Sequence, residues 1–276
     1  MTAASDVNAP GVAKPGYRPA SFAEALHSEW TKARTVPSTR WTLITAAILG
    51  IGIGVLVSGL TAHQYARDSP GAKAVWDPTA LSGSGMVIAQ LAIGVLGIVI
   101  ITSEYATGAI RTSLAAVPRR GRFLGAKAMM IAGVAFIAAE IITFAAFFVG
   151  QALISGHAPT ASLSQPGVLR ALIGYGLYEA LIALLGLALG ALLRHAAAAI
   201  AVLVAIIFVL PAIAAALPSS MEHTIEKFWP TQAGQQVTVV VSAANELPAW
   251  AGFSVLCLFV AIVLAAAFVV LSRRDT

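Results

Sequence analysis

Long runs without a single formal charge constrain this chain more than any motif does. Trp41 to Ala66, Pro78 to Ser103, His195 to Met221 and Leu247 to Ser272 contain no Asp, Glu, Lys or Arg, and from Ala128 to Leu193 only Glu140, Arg170 and Glu179 interrupt. A helix crossing a bilayer needs about 20 apolar residues. The long central run must therefore be divided, and spans are expected near residues 42–61, 82–102, 128–150, 170–192, 197–217 and 250–271. The break between the fourth and fifth rests on Leu193-Arg194-His195-Ala196, because a short turn returns Arg194 to the interface instead of leaving it at the bilayer centre. Pro211 removes a backbone donor late in the fifth span and should kink it.

Composition agrees. Hydrophobic residues make up 58% of the 276 and charged residues 11%, whereas a soluble domain carries about a quarter charged residues. This argues against a single soluble core, a disordered chain and a nucleic-acid-binding domain. The expected fold is an all-α integral membrane protein with six transmembrane helices. The one cysteine, Cys257, sits in an apolar run and reads as packing filler. Residues 1–20, rich in Ala, Pro and Gly, read as a flexible tail, and residues 1–40 show no pattern of a cleavable signal.

Basic residues set the expected orientation. With both termini cytoplasmic, 13 of the 17 Lys and Arg fall inside, leaving Arg67, Lys73, Arg170 and Lys227 outside. That bias fits the positive-inside rule and accounts for the net charge of +5 without nucleic acid. Gly50-x-x-x-Gly54 and Gly186-x-x-x-Gly190 have the spacing that brings helix backbones together in lipid, within the chain or in a dimer seam.

Two segments outside the expected spans stand out. In residues 21–40, Ser21 and Glu24 form a capping box, Phe22, Leu26, Trp30 and Ala33 make an apolar stripe, and Lys32 and Arg34 sit in the last turn. The expectation is an amphipathic helix along the inner membrane surface. The second segment, Glu104 to Lys127, is too polar to span and too long for a minimal turn. Pro118 and Gly121 bracket a change of direction, and Arg119, Arg120 and Arg122 cluster beside it. Arginine's planar fork suits docking on carboxylates, although such a cluster also serves as a topology signal.

Glu104-x-x-x-Gly108-x-Ile110-Arg111-x-x-Leu114, followed by Pro118, Arg119, Arg122 and Lys127, resembles the cytoplasmic loop motif of type-2 permeases of ATP-binding-cassette (ABC) exporters. Glu29-Trp30-x-Lys32, Pro230-x-x-Ala233-Gly234 and the terminal Arg273-Arg274-Asp275 resemble the same family, in the same order along six spans. Ala109 departs from the family's usual Thr or Ser. The resemblance implies a permease half in the plasma membrane that pairs with a second half, as a homodimer, while separate ATPase subunits bind the cytoplasmic face and carry ATP and magnesium. It also implies that Glu29, Trp30, Lys32, Glu104, Gly108, Arg111, Pro118, Arg119, Arg120 and Arg122 form the ATPase interface. By the same resemblance, residues 218–249 fold partly back into the outer membrane as a re-entrant hairpin.

Catalysis by the chain itself is not expected, and no cofactor is assigned to it. Gly121-Arg-Phe-Leu-Gly125-Ala-Lys127-Ala128 has the wrong spacing for a phosphate-binding loop and lacks its hydroxyl. The five histidines are scattered, without zinc-ligand spacing. Glu140 and Glu179 are the two intramembrane acids. Antiparallel helices could bring them level, either as packing residues or for handling protons or cationic substrate. Two other readings therefore stand beside the exporter: an ATP-independent secondary carrier coupled through Glu140 and Glu179, and a non-transporting membrane scaffold.

Overall fold

The computed structural model describes residues 21–117, 119–241 and 246–273. The expected tail over residues 1–20, Pro118, and the terminal Arg274 and Asp275 lie outside the described residues. The chain is all-helical among those described. The helices are α1 (Phe22–Thr35), α2 (Pro37–Gln64), α3 (Pro70–Ala74), α4 (Pro78–Gly83), α5 (Met86–Thr107), α6 (Ala109–Ala116), α7 (Arg120–Ile154), α8 (Val168–Leu193), α9 (Ala196–Val204), α10 (Leu210–Ala214), α11 (Ser219–Phe228), α12 (Pro230–Gln235) and α13 (Ala249–Arg273). Six of the helical stretches are long and apolar enough to cross a membrane: α2, α5, α7, α8, α9 with α10, and α13.

Successive spans alternate in direction. One end of the bundle gathers α1, the C-terminus of α5, α6, the start of α7, the α8–α9 turn and the end of α13. The opposite end holds α3, α4, α11 and α12. The α1 end carries Lys32, Arg34, Arg40, Arg111, Arg119, Arg120, Arg122, Lys127, Arg194 and Arg273, and the opposite end carries Arg67, Lys73, Arg170 and Lys227. At 1.5 Å per residue, the 35 residues of α7 reach about 50 Å, well beyond a hydrocarbon core of about 30 Å. Its first turns therefore project past the apolar layer at the basic end.

Glycines decide how closely the spans pack. The α5–α8 pair is the centre of the bundle, and there a Cβ on Gly97 would strike the Ala183 carbonyl, while one on Gly186 would strike that of Gly94. Both small-residue motifs serve contacts within the chain. Gly50 lies against Met86 and Ile142, Gly54 against Ser82 and Ala146, and Gly190 against Ile98 and Ile101. The buried face of α2 is a ladder of Ala46, Gly50, Gly54, Ser58 and Ala62, one small residue per turn.

Irregularities fall where the chain must turn. Pro37 opens α2 after an extended Val36, so residues 37–40 lengthen the first span's helix and α1 ends at Thr35. Arg194 closes α8 in the left-handed region, at φ 56°, before α9 begins. Ala205–Val209 slips into a single π-helical turn just before Pro211. Between the fifth and sixth spans, α11 and α12 form a helical pair. Trp229 Nε1 donates to the Ile206 carbonyl (2.9 Å), and Gly252 of α13 meets the Ala233 backbone. Asp77 ties the following segment down: its Oδ1 caps α4 and its Oδ2 accepts from the Val240 and Val241 amides (2.9 and 3.1 Å).

Candidate functional site: an ion cluster at the basic end

The capping box forms as expected, with the Ser21 amide donating to Glu24 (2.6 Å) and the Glu24 amide to Ser21 Oγ (3.3 Å). The expected apolar stripe divides: Ala33 is buried and Leu26 packs against the core, but Phe22 and Trp30 do not turn inward. Ala25, Glu29 and Ala33 point inward onto α7, while Phe22 and Trp30 stay exposed. Two alanines let α1 approach closely, and the residue between them carries a charge that must be paired.

Its partner is Lys127, on the second turn of α7 and only 1% exposed. Lys127 Nζ donates to Glu29 Oε2 (2.6 Å) and to Glu104 Oε1 (2.7 Å). Lys32 Nζ donates to Glu29 Oε1 (2.8 Å) and to the same Glu104 oxygen (2.9 Å). Glu29, Lys127, Glu104 and Lys32 thus close a four-membered ring of alternating charge with no net charge. It draws one helix from outside the spans, the end of the second span and the start of the third into a single contact. The Lys127 ammonium also lies 5.0 Å from the centre of the Phe123 ring. Burial alone would pull the Lys32 ammonium down, but its hydrogen bonds and attraction to the two carboxylates outweigh that and hold it above its ordinary range. A cavity of about 380 Å³ lies against the cluster, with Val36, Thr39, Ser103 and Thr107 in its wall.

The residues expected at the ATPase interface therefore divide. Glu29 and Glu104 are buried and face the half-exposed Lys32. Trp30, Arg111 and Arg119 are exposed around them. Gly108 joins α5 to α6 at φ 72°, a conformation that suits glycine. Arg120 Nη1 donates to the Leu271 carbonyl (2.6 Å) and the Ser272 carbonyl (3.3 Å), tying the start of α7 to the end of α13. Arg122 is half-buried. Lys127 is the member that sequence reasoning left out of the interface. The signal in the sequence is its place as the last charge of the loop motif before an apolar run, with two acids, Glu29 and Glu104, flanking the neighbouring spans.

The intramembrane acids are not joined. The Glu140 carboxyl rests against Gly176 of α8. Glu179 is buried with both oxygens lacking hydrogen-bond partners, so it shares none with Glu140. Among the described residues, no group of three or more His, Cys, Asp or Glu could hold a metal ion.

A six-helix apolar bundle with a charge-stitched platform at its basic end agrees with a comparison against protein families. The model described as ABC-2 family transporter protein matches residues 25–212, well over half of the chain, and that stretch includes all four members of the ion cluster. A comparison with curated proteins finds no match. The chain belongs to the ABC-2 family of transporter membrane proteins.

Proposed function

We propose that the chain is the permease subunit of an ABC exporter in the plasma membrane, that it works as a homodimer, and that a separate ATPase subunit docks on its basic end and supplies ATP hydrolysis with magnesium. The observation that carries this reading is the ion cluster. A permease without its own ATPase receives mechanical work through a contact, and a displaced contact element must not be absorbed by a loose linker. Glu29 and Lys32 anchor α1 to Glu104 and Lys127, so movement of α1 is passed directly to α5 and α7. The exposed docking face then consists of Trp30, Arg111 and Arg119 with the outer side of α6. The concentration of Lys and Arg at this end supports a cytoplasmic location for it, with both termini inside. The α11–α12 pair then lies at the outer face as a re-entrant hairpin.

The test is reconstitution with a candidate ABC ATPase subunit from the same organism. The complex should copurify, and its ATPase rate should change when the permease is present. Arg111→Glu with Arg119→Glu should abolish that association while the permease still inserts. An unchanged association would refute docking on this face.

A further inference from the structure

Among the described residues, Glu179 is the acid whose two carboxyl oxygens are both buried and unpartnered. It is 1% exposed, on the fourth span, and neither carboxyl oxygen has a hydrogen-bond partner. It lines a cavity of about 230 Å³ between α4, α5, α8 and the segment following α12. Most polar groups around it are committed elsewhere, the exception being the Ser84 hydroxyl. The Tyr178 hydroxyl donates to Gln90 Oε1 (2.9 Å) and accepts from Gln235 Nε2 (3.3 Å). Gln90 Nε2 donates to the Val87 carbonyl (2.6 Å), and the Thr238 hydroxyl to the Gln235 carbonyl (2.8 Å). No Lys, Arg or His lines the cavity. Glu179 therefore faces this space with unmet acceptor capacity, one unpartnered hydroxyl (Ser84) in the wall and no basic side chain, beside the aromatic rings of Tyr175 and Tyr178.

We infer that this cavity binds the cationic head group of an organic amine or ammonium compound, with Glu179 as its counter-charge and Tyr175 and Tyr178 as its aromatic walls. An ionised carboxylate left unpaired in an apolar interior is costly, and a bound cation removes that cost. Aromatic faces add attraction for a positive charge, most strongly where water is excluded. The cavity is smaller than the ~300–1,000 Å³ of sites that enclose drug-sized molecules, so it accepts a head group and leaves a longer tail outside. A hard divalent ion such as calcium fits poorly, because it takes 6–8 oxygen ligands. This assignment rests on the permease reading only for its role as a substrate site; binding itself requires no ATPase.

The experiment measures equilibrium binding of radiolabelled benzylammonium to the full chain in lipid nanodiscs, without an ATPase, and uses benzyl alcohol as the neutral competitor of matching shape. Saturable binding is expected, with benzyl alcohol competing at least about tenfold less well and Glu179→Gln weakening binding at least about tenfold. Val87→Trp changes an exposed residue at the cavity wall, leaves the carboxylate intact and should block binding by occupying the space, which covers the case where E179Q does not fold. Absence of saturable binding in the wild type, equal competition by benzyl alcohol, or undiminished binding in the folded variants would overturn the inference. A chain that couples to its ATPase yet shows no cation preference loses this site and keeps the permease reading. One that binds the cation but never an ATPase has the opposite outcome.

Discussion

Replacing Lys127 with Met removes the central cation of the ring while keeping a side chain of similar length and apolar body. Its ammonium lies 2.6 Å from Glu29 and 2.7 Å from Glu104, with 1% of the side chain exposed. The variant leaves two buried carboxylates to share Lys32, whose own side chain is 42% exposed. Breaking a buried pair by deleting one partner costs about 3–5 kcal/mol, because the remaining charge is stranded. Lys32→Met removes a largely solvent-screened cation and should cost about 1 kcal/mol or less. Equilibrium unfolding in mixed micelles should therefore rank K127M far below K32M. The quadruple variant Glu29→Gln, Glu104→Gln, Lys32→Met, Lys127→Met removes all four charges of the ring, strands none and should recover most of the loss. It should nevertheless uncouple ATPase activity from transport, because α1 is no longer keyed to α5 and α7. A K127M cost under about 1 kcal/mol, or one equal to that of K32M, would refute the stranded-charge reasoning.

Other outcomes follow from the same geometry. The Lys32 ammonium titrates above its ordinary value of 10.5 in the folded protein, so its stabilising contribution is fully present below that pH and lost as pH rises through the folded value. The stability difference between wild type and K32M should therefore stay flat from neutral pH to about 10 and shrink only beyond it, as read by unfolding at stepped pH. Gly97→Ala places a methyl against the Ala183 backbone; forcing α5 and α8 apart should cost about 1–3 kcal/mol, whereas Gly133→Ala, with nothing within 4 Å, should be neutral or stabilising in the same melt. In a Cys257→Ser background, an impermeant thiol reagent applied to intact cells should label cysteines at Pro70 and Thr160 but not at Ala115, and external labelling at Ala115 would invert the orientation. Arg119→Lys should weaken ATPase association with folding unchanged. Arg120→Lys should instead lower thermal stability, because Arg120 holds the end of α13.

Six membrane helices were legible in the residue order because each must supply its own run of apolar side chains and satisfy its own backbone hydrogen bonds, both local requirements. The start of α1 was legible for the same reason: the Ser21–Glu24 box closes over three residues. Tertiary structure decided the rest. Which face of α1 turns inward depended on α7 offering Lys127, so a charged residue won the buried position over Phe22 and Trp30. The glycine motifs allowed close approach but named no partner, and only the packed bundle assigned them to contacts with α4, α5 and α7 within one chain. Glu140 and Glu179 sit at comparable depths in sequence, yet the rotation of α7 and α8 about their own axes placed one carboxyl against Gly176 and the other in a cavity shared with α5. Depth is encoded along a helix, one residue at a time. Azimuth emerges only when neighbouring helices compete for the same space, which is why the charged ring and the solitary acid became visible only in three dimensions.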